Sequence, residues 1–88
     1  MKDWYVYMVR CSDSSLYTGV TVDINRRIFE HNFTKKGAKY TRSRRPVRVV
    51  YIEKFKNRSS AQKKEYYLKS LQKKNKEKLV EEYRKQSL

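Results

Sequence analysis

The chain opens with two short segments whose apolar positions repeat every second residue. Trp4 to Arg10 is rich in valine and aromatics, with Tyr5 and Tyr7 on one face and Val6 and Met8 on the other, and reads as a strand. The polar cluster Ser12-Asp13-Ser14-Ser15 separates it from a second strand over Leu16 to Val20, so an antiparallel hairpin is the economical pairing. The period then changes to that of a helix. Ile24, Ile28 and His31 fall on one stripe at i, i+4 and i+7, with Arg27 beside it and Asp23 or Thr21 placed to cap its start. From Phe33 to Pro46 no period is visible, and the segment is expected to be a long loop. Alternating β-branched residues return from Val47 to Phe55, a third strand whose apolar content calls for a central or well-covered place. Lys56-Asn57-Arg58 reads as a turn and Ser59 as the cap of a helix from about Ser60 to Lys73, with Ala61, Tyr67, Leu68 and Leu71 as its apolar stripe. Asn75 is placed to cap a last helix in which Leu79, Val80 and Tyr83 supply a short apolar contact. The order β-β-α-β-α-α predicts one α+β domain over residues 1–88: three mainly antiparallel strands flanked by helices.

Charge sharpens this picture toward a partner. Lysine and arginine number 23 against 9 acids, a net +14, which makes a polyanion the expected ligand. No apolar run approaches the roughly 20 residues that cross a bilayer, and the first residues lack the long apolar segment of a signal peptide. A cytoplasmic protein that meets nucleic acid, and no membrane, is therefore expected. The single Cys11 cannot form an internal disulfide, which fits a reducing compartment. The eight tyrosines and the clear periodicity argue against disorder.

The candidate chemistry gathers around the hairpin and the first helix. Most of the tyrosines read as ordinary strand aromatics. Tyr7 and Tyr17 stand out because both lie on hairpin strands immediately before the helix that bears Arg27 and His31. A phenol beside a metal or a guanidinium has its pKa, about 10 when free, drawn down toward a base, or it orients water. Arg27 next to the Ile24/Ile28 stripe points toward the sheet and suits bidentate binding of a phosphate. His31, the lone histidine, lies one turn further along. Glu65 sits at the edge of an apolar stripe, where a carboxylate needs a partner. Either Lys64 or Arg27 satisfies it as an ion pair, or it holds a hard divalent cation, for which one carboxylate plus waters and phosphate oxygens is the Mg²⁺ pattern. The aperiodic segment places Lys35, Lys36, Lys39, Arg42, Arg44 and Arg45 around Tyr40, with Gly37 permitting close backbone approach. Cations plus a stacking aromatic make a nucleic-acid footprint.

These residues, taken in order, resemble a known family. Tyr5-Val6-Tyr7, followed by Tyr17-Thr18-Gly19, is similar to the two halves of the GIY-YIG nuclease signature, and the Asp23 to His31 helix and Glu65 follow in the family's order. Gly37-Ala38-Lys39-Tyr40-Thr41-Arg42 and Arg44-Arg45-Pro46-Val47 look like stretches of the small stand-alone bacterial branch. Tyr5 stands where the name-giving glycine would be and Thr18 replaces the isoleucine, both at backbone or packing positions. The resemblance implies a DNA endonuclease that uses one divalent ion, Mg²⁺ or Mn²⁺. Tyr7 and Tyr17 would line the site, with Arg27 and His31 as the helix residues and Glu65 as metal ligand. A further asparagine of some members has no secure counterpart, Asn75 being a guess. Such a chain would work as a monomer or weak dimer, with DNA as partner and its basic loop or a partner protein supplying targeting. The competing expectation is a non-catalytic nucleic-acid-binding module on the same fold, which needs only the basic loop and the net charge. An RNA- or ribosome-associated basic protein is a weaker third.

Overall fold

A computed structural model describes residues 2–87. The elements are β1 (Trp4–Arg10), β2 (Leu16–Thr21), α1 (Ile24–Phe33), a single-turn α2 (Lys39–Arg42), β3 (Arg48–Phe55), α3 (Arg58–Ser70) and α4 (Lys73–Gln86). The strands form one antiparallel sheet in the order β2-β1-β3, with Tyr7 opposite Gly19 on one side and Ile52 on the other. The expected α+β architecture is present. The hairpin places β2 on one flank of β1 and the third strand takes the other flank rather than the free edge of β2, so β1 is central and β3 an edge strand covered by α4.

Strand alternation divides the core in two. Val6, Met8 and Tyr51 pack with Ala61 and Leu68 of α3 and Val80 of α4 on one face of the sheet. Tyr7, Val9 and Cys11 pack with Val47, Tyr17, Ile24 and Ile28 on the other, beneath α1. The sheet is thus sandwiched, and the odd-numbered positions of β1 face the helix that carries Arg27 and His31. Arg10 at the end of β1 clamps α4 with a bidentate ion pair to Glu77, at 2.5 and 2.7 Å.

Asp23 caps α1 as expected, accepting from the Arg26 backbone N–H at 3.0 Å. Other boundaries differ from the sequence reading. The cap of α3 is Asn57, whose extended backbone lets its Oδ1 accept from the Ser60 N–H at 2.8 Å, and the helix stops at Ser70. Ser59 lies inside the first turn. Three cap-competent residues within four positions are locally equivalent, and docking of the helix selects among them. Likewise α4 starts at Lys73 after Gln72, whose carbonyl accepts from the N–H groups of Asn75 and Lys76, so Asn75 is not its cap. Tyr67 is half exposed and not part of the α3 stripe, since it sits 100° around the helix from Leu68. Asn57→Ala is expected to lower stability by about 1 kcal/mol and Ser59→Ala by only a few tenths, an ordering that urea denaturation of the two variants checks.

Candidate active site

On the α1 side of the sheet the register creates a special place. Gly19 lies directly across from Tyr7, and the Tyr7 ring extends over it: a Cβ on Gly19 would come within 2.5 Å of the phenol oxygen. The phenol thereby reaches His31, which α1 buries completely at the end of its inward stripe. Tyr7 Oη and His31 Nε2 are 2.7 Å apart. The other ring nitrogen, Nδ1, is 2.8 Å from Oγ1 of Thr41, itself fully buried and hydrogen-bonded to the Ala38 carbonyl at 2.9 Å. Tyr17 packs edge-on against the imidazole, with ring centroids 5.4 Å apart.

Arg27 flanks this cluster. Its Nη1 donates to Glu30 at 2.9 Å and to the Lys36 carbonyl at 2.8 Å, which holds the guanidinium in place and ties the basic segment to α1. The Tyr7 phenol lies close enough to Arg27, Tyr17 and Glu65 to feel the charge of each. Glu65 is partly buried at the margin of the α3 stripe. Its ion-pair partner is Lys69, one turn along the same helix at 3.1 Å, rather than Lys64 or Arg27; Lys64 pairs instead with Glu53 at 3.5 Å. An i,i+4 pair satisfies a carboxylate within one helix without any tertiary closure. The structure therefore brings Tyr7, Tyr17, Arg27, His31 and Glu65 into one neighbourhood.

Electrostatics corrects one sequence-based expectation. Tyr7 is not pulled toward a base: burial pushes its pKa up to about 12, and the nearby Arg27 only partly offsets this. His31 moves the opposite way, to about 4, chiefly through burial and then through the positive charge of Arg27. Both groups are accordingly neutral at pH 7. The unfolded chain, with its histidine at 6.5, binds a proton that the folded chain refuses between about pH 6.5 and 4. Stability is thus expected to be constant above pH 6.5 on account of this group and to fall as pH drops from 6.5 toward 4. As the lone histidine, His31 yields a single NMR titration, expected well below pH 6; a midpoint near 6.5 would contradict its burial.

The basic segment is more structured than expected. It contains α2, and several of its residues are built into the fold. Arg45 donates to the backbone carbonyls of Glu30, His31 and Thr34, closing the last turn of α1. Arg44 pairs with Asp13 of the hairpin turn at 3.0 Å and covers the Tyr40 ring at 3.8 Å, while that ring also stacks on Tyr17. Tyr40 therefore spends its ring on protein neighbours. Gly37 admits the Glu30 carbonyl, which a Cβ would meet at 2.7 Å, so its close approach is to α1. Lys35, Lys36, Lys39 and Arg42 remain solvent-exposed. Sequence reasoning passed over Thr41 and Asn32. Asn32 grips Val47 through both its N–H and its carbonyl, at 2.7 and 2.9 Å, anchoring the entry to β3. A lone histidine on a buried stripe needs partners for two ring nitrogens, and that demand was the one available signal for Thr41.

The GIY-YIG catalytic domain model matches residues 3–78. The chain is 56% identical over 77 residues to the UPF0213 protein of Desulfotalea psychrophila, covering 88% of this chain and 70% of that one. It is 52% identical to the UPF0213 protein of Haloquadratum walsbyi, covering 93% and 92%. Two solution NMR structures share the fold: the UPF0213 protein of Bacillus halodurans, at 46% identity and TM-score 0.58 over 90% of this chain and 83% of that one, and a protein from E. faecalis, at 43% identity and TM-score 0.64 over 96% and 88%. A family model covering most of the chain and relatives about half identical over nearly all of it show that this chain belongs to the GIY-YIG family and to the UPF0213 group within it.

Proposed function

We propose that the protein is a divalent-metal-dependent endonuclease that hydrolyses phosphodiester bonds in DNA. The observation that carries this reading is the meeting of one phenol with four functional groups: the Tyr7 hydroxyl touches His31 and lies within the electrostatic reach of Arg27, Tyr17 and Glu65. Phosphodiester hydrolysis needs a cation on the phosphate, an acceptor for the proton of attacking water, and a counter-charge for the leaving oxygen. Arg27 answers the first need and the Tyr7–His31 pair the second, while a cation held by the Glu65 carboxylate would answer the third.

The donor set fits a single hard cation. Glu65 offers a partly exposed carboxylate whose partner, Lys69, is itself half exposed, and among the described residues no group of three or more His, Cys, Asp or Glu comes together. One carboxylate supplemented by water and substrate oxygens suits Mg²⁺ or Mn²⁺. Bound there, such an ion supplies Lewis-acid stabilisation of the phosphate. Arg27, held by Glu30, the Lys36 carbonyl and Tyr7, keeps further N–H donors for the phosphate oxygens. Tyr7 and His31 together manage the proton of the attacking water, Tyr17 packs edge-on against the imidazole, and Lys35, Lys36, Lys39 and Arg42 track the flanking backbone phosphates.

The test is incubation of the purified protein with single-stranded, duplex and branched DNA in Mg²⁺ or Mn²⁺, beside Arg27→Ala and Glu65→Ala. Cleavage that depends on metal and fails in both variants supports the reading. Equal cutting by all three proteins, or salt-sensitive binding with no cutting on any substrate, overturns it.

A further inference from the structure

We propose that Thr41 is a positioning residue that sets the tautomer of His31 and thereby aims the Tyr7 proton at the imidazole. The argument follows protons through three consecutive contacts. The Ala38 carbonyl can only accept, so at 2.9 Å the Thr41 hydroxyl proton lies between the two oxygens. Thr41 Oγ1 then has only lone pairs to offer His31 Nδ1 at 2.8 Å, and Nδ1 must carry the ring proton. Nε2 is left bare, and the Tyr7 hydroxyl donates to it at 2.7 Å. The reverse arrangement would leave the Thr41 and Ala38 oxygens 2.9 Å apart with no proton between them. It would also turn both His31 and Arg27 into donors toward one phenol oxygen. Burial makes the choice strict: His31 and Thr41 are fully shielded from water, so no solvent molecule can repair a mismatched contact between them.

The catalytic consequence rests on the nuclease reading. With the phenol proton aimed inward and Arg27 donating to one lone pair of Tyr7 Oη, the other lone pair remains for the attacking water. As the water oxygen bonds to phosphorus and the bond from phosphorus to the leaving sugar oxygen breaks, one water proton passes to Tyr7 Oη while the phenol proton passes to His31 Nε2, and the leaving oxygen departs with the bonding pair to be protonated from solvent. No free phenolate forms, and the resulting imidazolium keeps its Nδ1–H bond to Thr41. This direction of transfer reconciles a phenol that resists ionisation with a role in moving protons. Neither the basic loop nor the metal ligand specifies it; one buried hydroxyl does.

His31 is the lone histidine, so long-range ¹H–¹⁵N correlation of the ring nitrogens reads its tautomer without ambiguity. The wild-type protein, free of DNA and metal, is expected to show a protonated Nδ1 and a bare Nε2, and Thr41→Ser to show the same. Thr41→Val, which keeps the shape but removes the acceptor, is expected to shift the proton to Nε2 and to lower cleavage by roughly 10²-fold, with Thr41→Ser restoring the rate. A wild-type ring protonated at Nε2, or a folded Thr41→Val protein that retains the wild-type ring pattern, overturns the proposal. Should Thr41→Val fail to fold, the wild-type and Thr41→Ser spectra still decide it. A wild-type protein with Nδ1–H but no nuclease activity on any DNA would retire the nuclease reading and leave the tautomer assignment standing.

Discussion

Glu65→Gln is expected to abolish metal-stimulated cleavage, by at least about 10²-fold, because a metal ion at a phosphoryl oxygen contributes several kcal/mol of transition-state stabilisation. Glutamine keeps the size and the polar character of the side chain and removes only the charge. The fold is expected to survive, since the one ion pair lost is the partly exposed contact with Lys69, and pairs of that kind contribute at most about 1 kcal/mol. DNA binding is likewise expected to persist, because it draws on the +14 net charge and the exposed cations of the 35–42 segment. Cleavage kinetics and binding isotherms measured on the same preparation separate the two. An unchanged rate would remove Glu65 from the reaction.

Gly19→Ala is expected to damage both stability and turnover through a single steric event. The added methyl would stand 2.5 Å from the Tyr7 phenol oxygen and 2.8 Å from the ring carbon that bears it. Tyr7 is almost fully buried, so its ring cannot retreat without disturbing Val9, Val47 and the α1 face. Either the ring leaves His31, breaking the 2.7 Å contact, or β2 shifts away from β1. Overpacking of this kind costs about 1–3 kcal/mol. Cleavage is expected to fall as far as in Tyr7→Phe, roughly 10²-fold or more. Wild-type stability together with a wild-type rate would mean that the phenol does not lie across the glycine.

The residues that the sequence made visible are those whose roles follow from local periodicity. The alternation of Val6 and Met8 against Tyr5 and Tyr7 located the two faces of β1, and the Ile24–Ile28–His31 stripe located the inner side of α1. Both patterns survive into the structure because each element buries one face. The cap of α3 escaped because Asn57, Ser59 and Ser60 are chemically interchangeable until tertiary packing chooses. For β3 the sequence left a central or a well-covered place open, and the structure takes the second, because a covering helix makes an edge strand as apolar as a central one. Tyr7, Tyr17, Arg27, His31 and Glu65 were all singled out from the chain as candidates. What they do to one another was not. The rise of the Tyr7 pKa depends on how much protein covers the phenol, and the diversion of Arg44, Arg45 and Tyr40 into the fold depends on the carbonyls and rings that α1 and the hairpin bring to them. A run of basic residues looks the same whether its guanidinium groups meet phosphates or helix ends.

A carboxylate on α3 and a guanidinium on α1 both lie within electrostatic reach of a phenol from the hairpin, and the proposed reaction depends on that convergence. Mn²⁺ titration followed by paramagnetic broadening of side-chain and backbone NMR signals tests it most directly, because broadening falls off steeply with distance from the ion. Signals of Glu65, Tyr7, Tyr17 and Arg27 are expected to broaden first and together, and the effect is expected to vanish in Glu65→Gln. Broadening that leaves the tyrosines and Arg27 untouched, or that persists unchanged in Glu65→Gln, would contradict the claim.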